Sequence, residues 1–341
     1  TKHYKSILVI FLVLFIPMGY AQNHTSVYYD LSANMPQDFA SIIGTNKLKD
    51  QFHMTTTHFL LVDENLESYK IKDICDQVEQ LDGVYNVVSY ESLIGGGIPQ
   101  QFEPDAIKDI LNNGGKKMIL VNSTYTAATD EENEQLDKID QIMHQYDKHA
   151  VIAGEGSLTR DLITTTDIDF KMVNILSVLA IFLIIVITFK SFALPVILVA
   201  SIEFAICINM GIPYFTGSVL PFIASIVIGT IQLGATVDYA ILMTTRYKEE
   251  LLNGKSVIEA AKEAAAKSAP SIITSGLSFF AACIGVSFIA KMDLIKSLCT
   301  LISRGAIISM LVILLVLPAL LIVCHKFIEK TTKDWPKANL K

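Results

Sequence analysis

Asp238 is the residue best placed to do chemistry. It stands inside an apolar run from about Val219 to Thr245, about 12 Å from Arg246 if that run is helical. A carboxylate in hydrocarbon costs several kcal/mol unless it is protonated, paired or wet, which is the situation of a group that takes up and releases protons. A permanently protonated Asp238, hydrogen-bonded to a neighbour, is the structural alternative. Tyr239 follows it, on a different helical face, with a hydroxyl able to serve a neighbouring helix. Glu203 is a second acid in an apolar run, about 20 Å from Lys190. Gln232 falls at about the same depth on an antiparallel neighbour. Equal depth leaves a Glu203–Gln232 contact open, serving either structural hydrogen bonding or proton handling. Thr236 and Ser275 complete the candidate supporting polar residues. Ser271 and Ser275, like Thr274 and Ser278, are four apart, which suits close helix packing or hydration of the Asp238 site. Asn209 and Arg304 are expected to anchor the outer ends of their helices.

Other chemistry is weakly encoded. Gly254-Lys255-Ser256 resembles the end of a phosphate loop, but Glu249 stands where its first glycine belongs. Gly154-Glu155-Gly156 lacks a third glycine and is read as part of a linker. His53 and His58, like His144 and His149, are five apart, which does not put a pair on one helical face for a metal. A surface role is expected for them. No Gly-x-Ser-x-Gly elbow exists. Of five cysteines, Cys75 alone lies between Gln22 and Phe170, so that segment cannot hold an internal disulfide. Neither an enzyme, nor a metal, nor a cofactor is expected.

The elements that must position Asp238 follow from composition. Among 341 residues, 51% are hydrophobic and 18% charged, with a mean hydropathy of +0.45. Soluble domains run nearer 25% charged. Five stretches are long enough to cross about 30 Å of hydrocarbon: Met172 to Phe189, Phe192 to Ile212, Val219 to Thr245, Pro270 to Ala290 and Leu301 to Cys324. A sixth, Ser6 to Ala21, resembles a cleavable signal as well as a first helix. An even number of spans favours its retention. Lysines and arginines cluster near Lys2, Lys5 and Lys190, from Arg246 to Lys267, and from Lys326 to Lys341. Basic flanks mark the cytoplasmic side, so both termini are placed there. Residues 246–268 are expected to form a separate cytoplasmic amphipathic helix, with a Ser256–Glu259 capping box and a Glu263–Lys267 pair. The chain divides into a first transmembrane helix (1–21), an outside domain (22–170), a five-helix membrane domain (171–325) and a cytoplasmic tail (326–341).

Between Gln22 and Phe170 acids outnumber bases by roughly 15, a balance that argues against nucleic acid as a partner. Strands are expected at Thr57–Asp63, Val84–Tyr90, Lys117–Asn122 and Ala150–Ala153, and helices at Leu66–Leu81 and Asp130–Asp147. Two successive β-α-β units of this kind make a ferredoxin-like domain. The Ile94–Ile98 glycine run and Phe102–Leu111 fill the connection between them. The fold class is thus an α+β membrane protein, a six-helix bundle with an extracytoplasmic α/β domain between its first two helices. Thr1 replaces an initiator Met, which points to removed residues or a longer polypeptide.

The stretch IQLGATVDYAILMTTRY (Ile231–Tyr247) resembles the fourth-helix signature of one repeat half in MMPL-type transporters of the RND superfamily, most closely the C-terminal half of Gram-positive members. FKSFALPVILVASIEFAICINM (Phe189–Met210), APSIITSGL (Ala269–Leu277), SRGA (Ser303–Ala306), VLPALL and IPMGYAQ (Ile16–Gln22) extend the resemblance over nearly the whole chain. It implies a porter-like outside domain and a proton-driven exporter of lipids or other hydrophobic molecules, in a bacterial plasma membrane. It also implies an Asp238–Tyr239 proton relay and a second repeat half, from the same polypeptide or another subunit. Arg246–Glu250 is also similar to a fourth-helix end in the SecD/SecF type of protein-export subunit. A lipid-sensing module without flux is a third reading.

Overall fold

The computed structural model describes residues 4–29, 35–94 and 110–338. The expected glycine run and most of Phe102–Leu111 lie outside them. The chain forms two compact units, Tyr29–Asp167 and Thr1–Tyr28 with Ile168–Lys341.

The first of these units is built on an antiparallel sheet. Its elements in chain order are α2 (Ala40–Phe52), β2 (Thr56–Asp63), α3 (Ser68–Glu79), β3 (Val84–Val88), α4 (Tyr90–Ile94), β4 (Asn112–Asn113), β5 (Lys116–Ser123), α5 (Asp130–Tyr146) and β6 (Val151–Gly154). The sheet order is β3-β5-β2-β6, with short β4 paired to the start of β5 across Gly114 and Gly115. Both glycines hold positive φ, +61° and +77°, as a two-residue hairpin turn requires. In both β2-α3-β3 and β5-α5-β6 a strand of the other unit lies between the two strands. The period-2 pattern of β2 buries Leu60 and Val62 against Ile71, Ile74 and Val78 of α3 and Ile139 and Met143 of α5. Thr129 caps α5 by accepting from the Glu132 N–H, and acids in the first turn complement the helix dipole.

Three local expectations change here. His58 is not at the surface. It points inward from β2, fully buried, with Nε2 4.0 Å from Oε1 of the equally buried Glu132. Alternation decided this, because His58 shares its face with Leu60 and Val62. Gly154 and Gly156 are not linker glycines either. Gly154 ends β6 at φ +128°, where a Cβ would meet Thr57 O at 2.6 Å, and a Cβ on Gly156 would overlap the Glu132 carboxylate.

The second unit holds α1 (Tyr4–Asn23), the part of α6 (Glu155–Phe189) from Ile168 onward, α7 (Ala193–Thr216), α8 (Phe222–Leu252), α9 (Val257–Ile289), α10 (Asp293–Val323) and α11 (His325–Thr331). Among the described residues, six of its helices are long and apolar enough to cross a membrane. Strand β1 (Val27–Tyr28) pairs in parallel with β7 (Leu220–Pro221). Helices α7 and α10 are the most enclosed, and α1 packs against both, with Phe11 edge-on to Phe204 at 4.7 Å between ring centroids.

The expected amphipathic helix over 246–268 is not a separate element. Its first residues end α8, and the rest begins α9, an unbroken helix to Ile289 that starts at the Ser256–Glu259 capping box. Lys267 does not pair with Glu263. Its ammonium reaches back to Glu250 at 2.6 Å, and Lys255 meets the other Glu250 oxygen at 2.7 Å. The bend between α8 and α9 makes this tertiary pairing available. His325 is buried as well, with Nδ1 3.0 Å from the Tyr247 hydroxyl.

Candidate membrane-embedded site

Helix α8 carries two opposed faces. Gln232, Thr236, Tyr239 and Ala240 are buried within the bundle, while Ile231, Gly234 and Asp238 are exposed. The spacing of three and four residues puts the exposed group on one stripe. A Cβ on Gly234 would meet nothing within 4 Å. Asp238 therefore points away from its own bundle and makes no hydrogen bond or ion pair among the described residues. Tyr239 turns inward, and its hydroxyl lies 3.1 Å from Ser275 Oγ on α9. A narrow crevice beside it is lined by Ile228, Gln232, Thr236, Phe279 and Ile302. Adjacent Asp and Tyr thus face opposite surroundings, one open and one packed.

Gln232 does not meet Glu203. Its Nε2 donates to Ser309 Oγ at 3.0 Å, and its Oε1 accepts from Asn209 Nδ2 at 2.8 Å. The Thr236 hydroxyl donates to the Gln232 backbone carbonyl one turn earlier. Asn209 and Arg304 are not separate anchors. The Arg304 Nε donates to Asn209 Oδ1 at 2.9 Å and a terminal nitrogen to Asn209 O at 2.7 Å. Asn209 Nδ2 also reaches Leu301 O at 3.1 Å. Together these bonds tie α7, α8 and α10 into one polar network. Gly305 is part of its geometry, because a Cβ there would stand 2.6 Å from Asn209 Nδ2 and 2.7 Å from Gln232 Oε1. Equal depth suggested a partner for Gln232, but helix rotation selects Asn209. The detectable sequence signal was Arg304, a cation inside an apolar run, where a partner is nearly obligatory.

The small polar residues of α9 divide differently from expectation. Ser275 contacts Tyr239, yet Ser271, Thr274, Ser275 and Ser278 are all exposed, and Gly276 makes the close approach to Met310 of α10. Glu203 is half-buried, and its Oε1 has no hydrogen-bond partner.

Residues 45–339 match the sequence profile of the MMPL family. The chain belongs to the MMPL family. This MMPL chain is 28% identical over 222 residues to YdgH of Bacillus subtilis (strain 168), designated a membrane protein; the match covers 64% of this chain and 24% of YdgH. It is 26% identical over 164 residues to ActII-3 of Streptomyces coelicolor, likewise designated a membrane protein, covering 47% of this chain and 23% of the relative. The MMPL chain thus spans about a quarter of the length of these relatives. Among solved structures it is similar to SecDF of Thermus thermophilus, described as a translocon-associated membrane protein. That similarity has a TM-score of 0.46 and 20% identity, over 65% of this chain and 30% of the other. Family membership and six membrane-length helices make this a multi-pass membrane protein.

Proposed function

We propose that this MMPL chain acts as one repeat half of a proton-motive-force-driven exporter of lipids or other hydrophobic or amphiphilic molecules. A second half, from the same polypeptide or another subunit, completes it. The single observation that carries this reading is the placement of Asp238: a carboxylate midway along a membrane-length helix, on the stripe facing away from its own bundle. Such a group is costly in lipid and needs a facing protein surface, water or a proton. A second bundle packed on the Ile231–Gly234–Asp238 stripe supplies that surface, and Gly234 lets it approach closely.

In this reading Asp238 takes a proton from the outside and releases it to the cytoplasm. Tyr239, next in the chain but on the inward face, is held by Ser275 and couples α8 to α9 behind the titrating residue. One proton moving down about 100 mV makes available about 2.3 kcal/mol, enough to shift a two-state equilibrium roughly fifty-fold. The Asn209–Gln232–Arg304 network keeps α7, α8 and α10 together, so the helices move as a group against the other half. The split β-α-β unit is read as a ferredoxin-like porter domain outside the membrane. The first helix is retained and both termini are cytoplasmic.

The test is Asp238→Asn in the complete native gene product, reconstituted in vesicles with an imposed proton gradient and loaded with labelled lipid. Asn preserves shape and removes titration. Gradient-driven efflux is expected to be lost while the assembled mass stays that of the wild type. Efflux at an unaltered rate refutes the relay.

A further inference from the structure

Glu203 has a setting of its own. It stands near the middle of α7 and lines a cavity of about 70 Å³ together with Gln22 and Asn23 of α1, Asn174 of α6 and Ser225 of α8. That volume holds a small number of waters, since one water needs about 10–15 Å³ of such space. One carboxylate oxygen is buried without a partner. The polar neighbours are uncharged: three side-chain amides and one hydroxyl, all with oxygens able to accept or coordinate. No lysine, arginine, histidine or second acid lines the cavity among the described residues. Lys171 and Asp169, the charged residues of α6 closest in sequence to Asn174, are exposed and outside the lining. The Cys207 thiol follows one turn along α7 and is outside the lining.

A carboxylate at mid-helix in a membrane span needs compensation, and among the described residues none hydrogen-bonds or ion-pairs with Glu203. The Gln232 amide instead accepts from Asn209 and donates to Ser309. What the cavity does provide is room, water-compatible walls and hard oxygen donors around one negative charge. That donor set suits a small hard cation, and a single negative charge suits a monovalent one. The arrangement is also separate from Asp238. Gly229, the cavity residue of α8 nearest Asp238 in sequence, is nine residues away, roughly 13 Å along the helix, and Asp238 faces out of the bundle.

We propose that Glu203 is the base of a second small-cation site, which holds a proton or a sodium ion in the polar cavity among α1, α6, α7 and α8. This goes beyond the Asp238 relay and does not depend on it. It gives the chain two carboxylates with different surroundings: one completed by whatever packs on α8, the other complete within this unit.

The test is chemical labelling of the full wild-type chain in lipid nanodiscs with dicyclohexylcarbodiimide. The O–H of a carboxylic acid adds across one C=N bond of this apolar reagent, and an O→N acyl shift then leaves an N-acylurea, with all atoms of both retained, as a mass tag that peptide mass spectrometry assigns to a residue. Glu203 is expected to carry the tag at acidic pH. Labelling falls at least about tenfold as pH rises, because each pH unit beyond the titration point cuts the protonated fraction tenfold. At fixed pH, replacing choline with sodium separates the two occupants: protection by sodium identifies a sodium site, and labelling moved by pH alone identifies a proton site. Either outcome supports the proposal. No tag on Glu203 at any pH, or a tag indifferent to both pH and sodium, overturns it. Labelling of Glu203 in Asp238→Asn is expected to equal that of wild type, and the Asp238-bearing peptide reports on the relay separately.

Discussion

Replacing Glu132 by glutamine is expected to stabilise the sheet unit at neutral pH by removing a buried charge. Glu132 is fully buried beside His58, and burial raises its carboxyl from 4.5 to about 7. Burial also lowers the His58 imidazole from 6.5 to about 4. Between pH 4.5 and about 7 the unfolded chain has lost the Glu132 proton while the folded chain keeps it, so rising pH favours unfolding. This cost is absent below 4.5 and complete above about 7. His58 acts in the opposite sense. Between 6.5 and about 4 the unfolded chain binds its proton and the folded chain does not, so falling pH favours unfolding. From 4.5 to 6.5 the two slopes oppose each other, and the pair leaves stability nearly independent of pH. The gap from 4.5 to about 7, at about 1.4 kcal/mol per pH unit, amounts to about 3 kcal/mol at pH 8. In Glu132→Gln, where the amide oxygen can keep the bond from the Ala128 N–H, only the His58 slope remains. Stability should then rise with pH from about 4 to 6.5. Native-state hydrogen exchange of peptides from β2 and α5 in the full chain measures this, with roughly 100-fold slower exchange expected in the variant at pH 8. Equal or faster exchange there, with an unchanged pH profile, would mean that Glu132 imposes no burial cost on the fold.

Two further changes test the helical unit. Gly305→Ala places a methyl against Asn209 and Gln232, and because both amides are committed the network must open. A loss of about 1–3 kcal/mol is expected, read as a lower unfolding temperature in nanodiscs, and an unchanged temperature argues against the network. Glu250→Ala releases Lys255 and Lys267 and should speed proteolytic cleavage between Asn253 and Ser256, while the far ends of α8 and α9 keep their protection. Uniform loss of protection would mean that Glu250 does more than fasten the bend.

Hydrophobic length and strand periodicity were legible at once, because each depends on residue type at fixed local spacing. The six apolar runs became six helices of membrane length, and the strand over Thr57–Asp63 shifted by one residue, to Thr56–Asp63. Helix ends were less legible. Nothing local distinguishes the expected amphipathic helix over 246–268 from the end of α8 and the start of α9, since the same polar pattern serves both.

Partners lay further from reach. That Asp238, Glu203 and Arg304 stand in apolar runs follows from composition and hydrophobic length, which are properties of the chain. Helix packing is what brings Arg304 to Asn209, joins Gln232 to them and not to Glu203, and turns Asp238 outward while Tyr239 faces in. Depth in a membrane follows from counting residues at 1.5 Å each. Direction follows from the rotation of each helix about its own axis, and packing of every helix against all the others sets that angle.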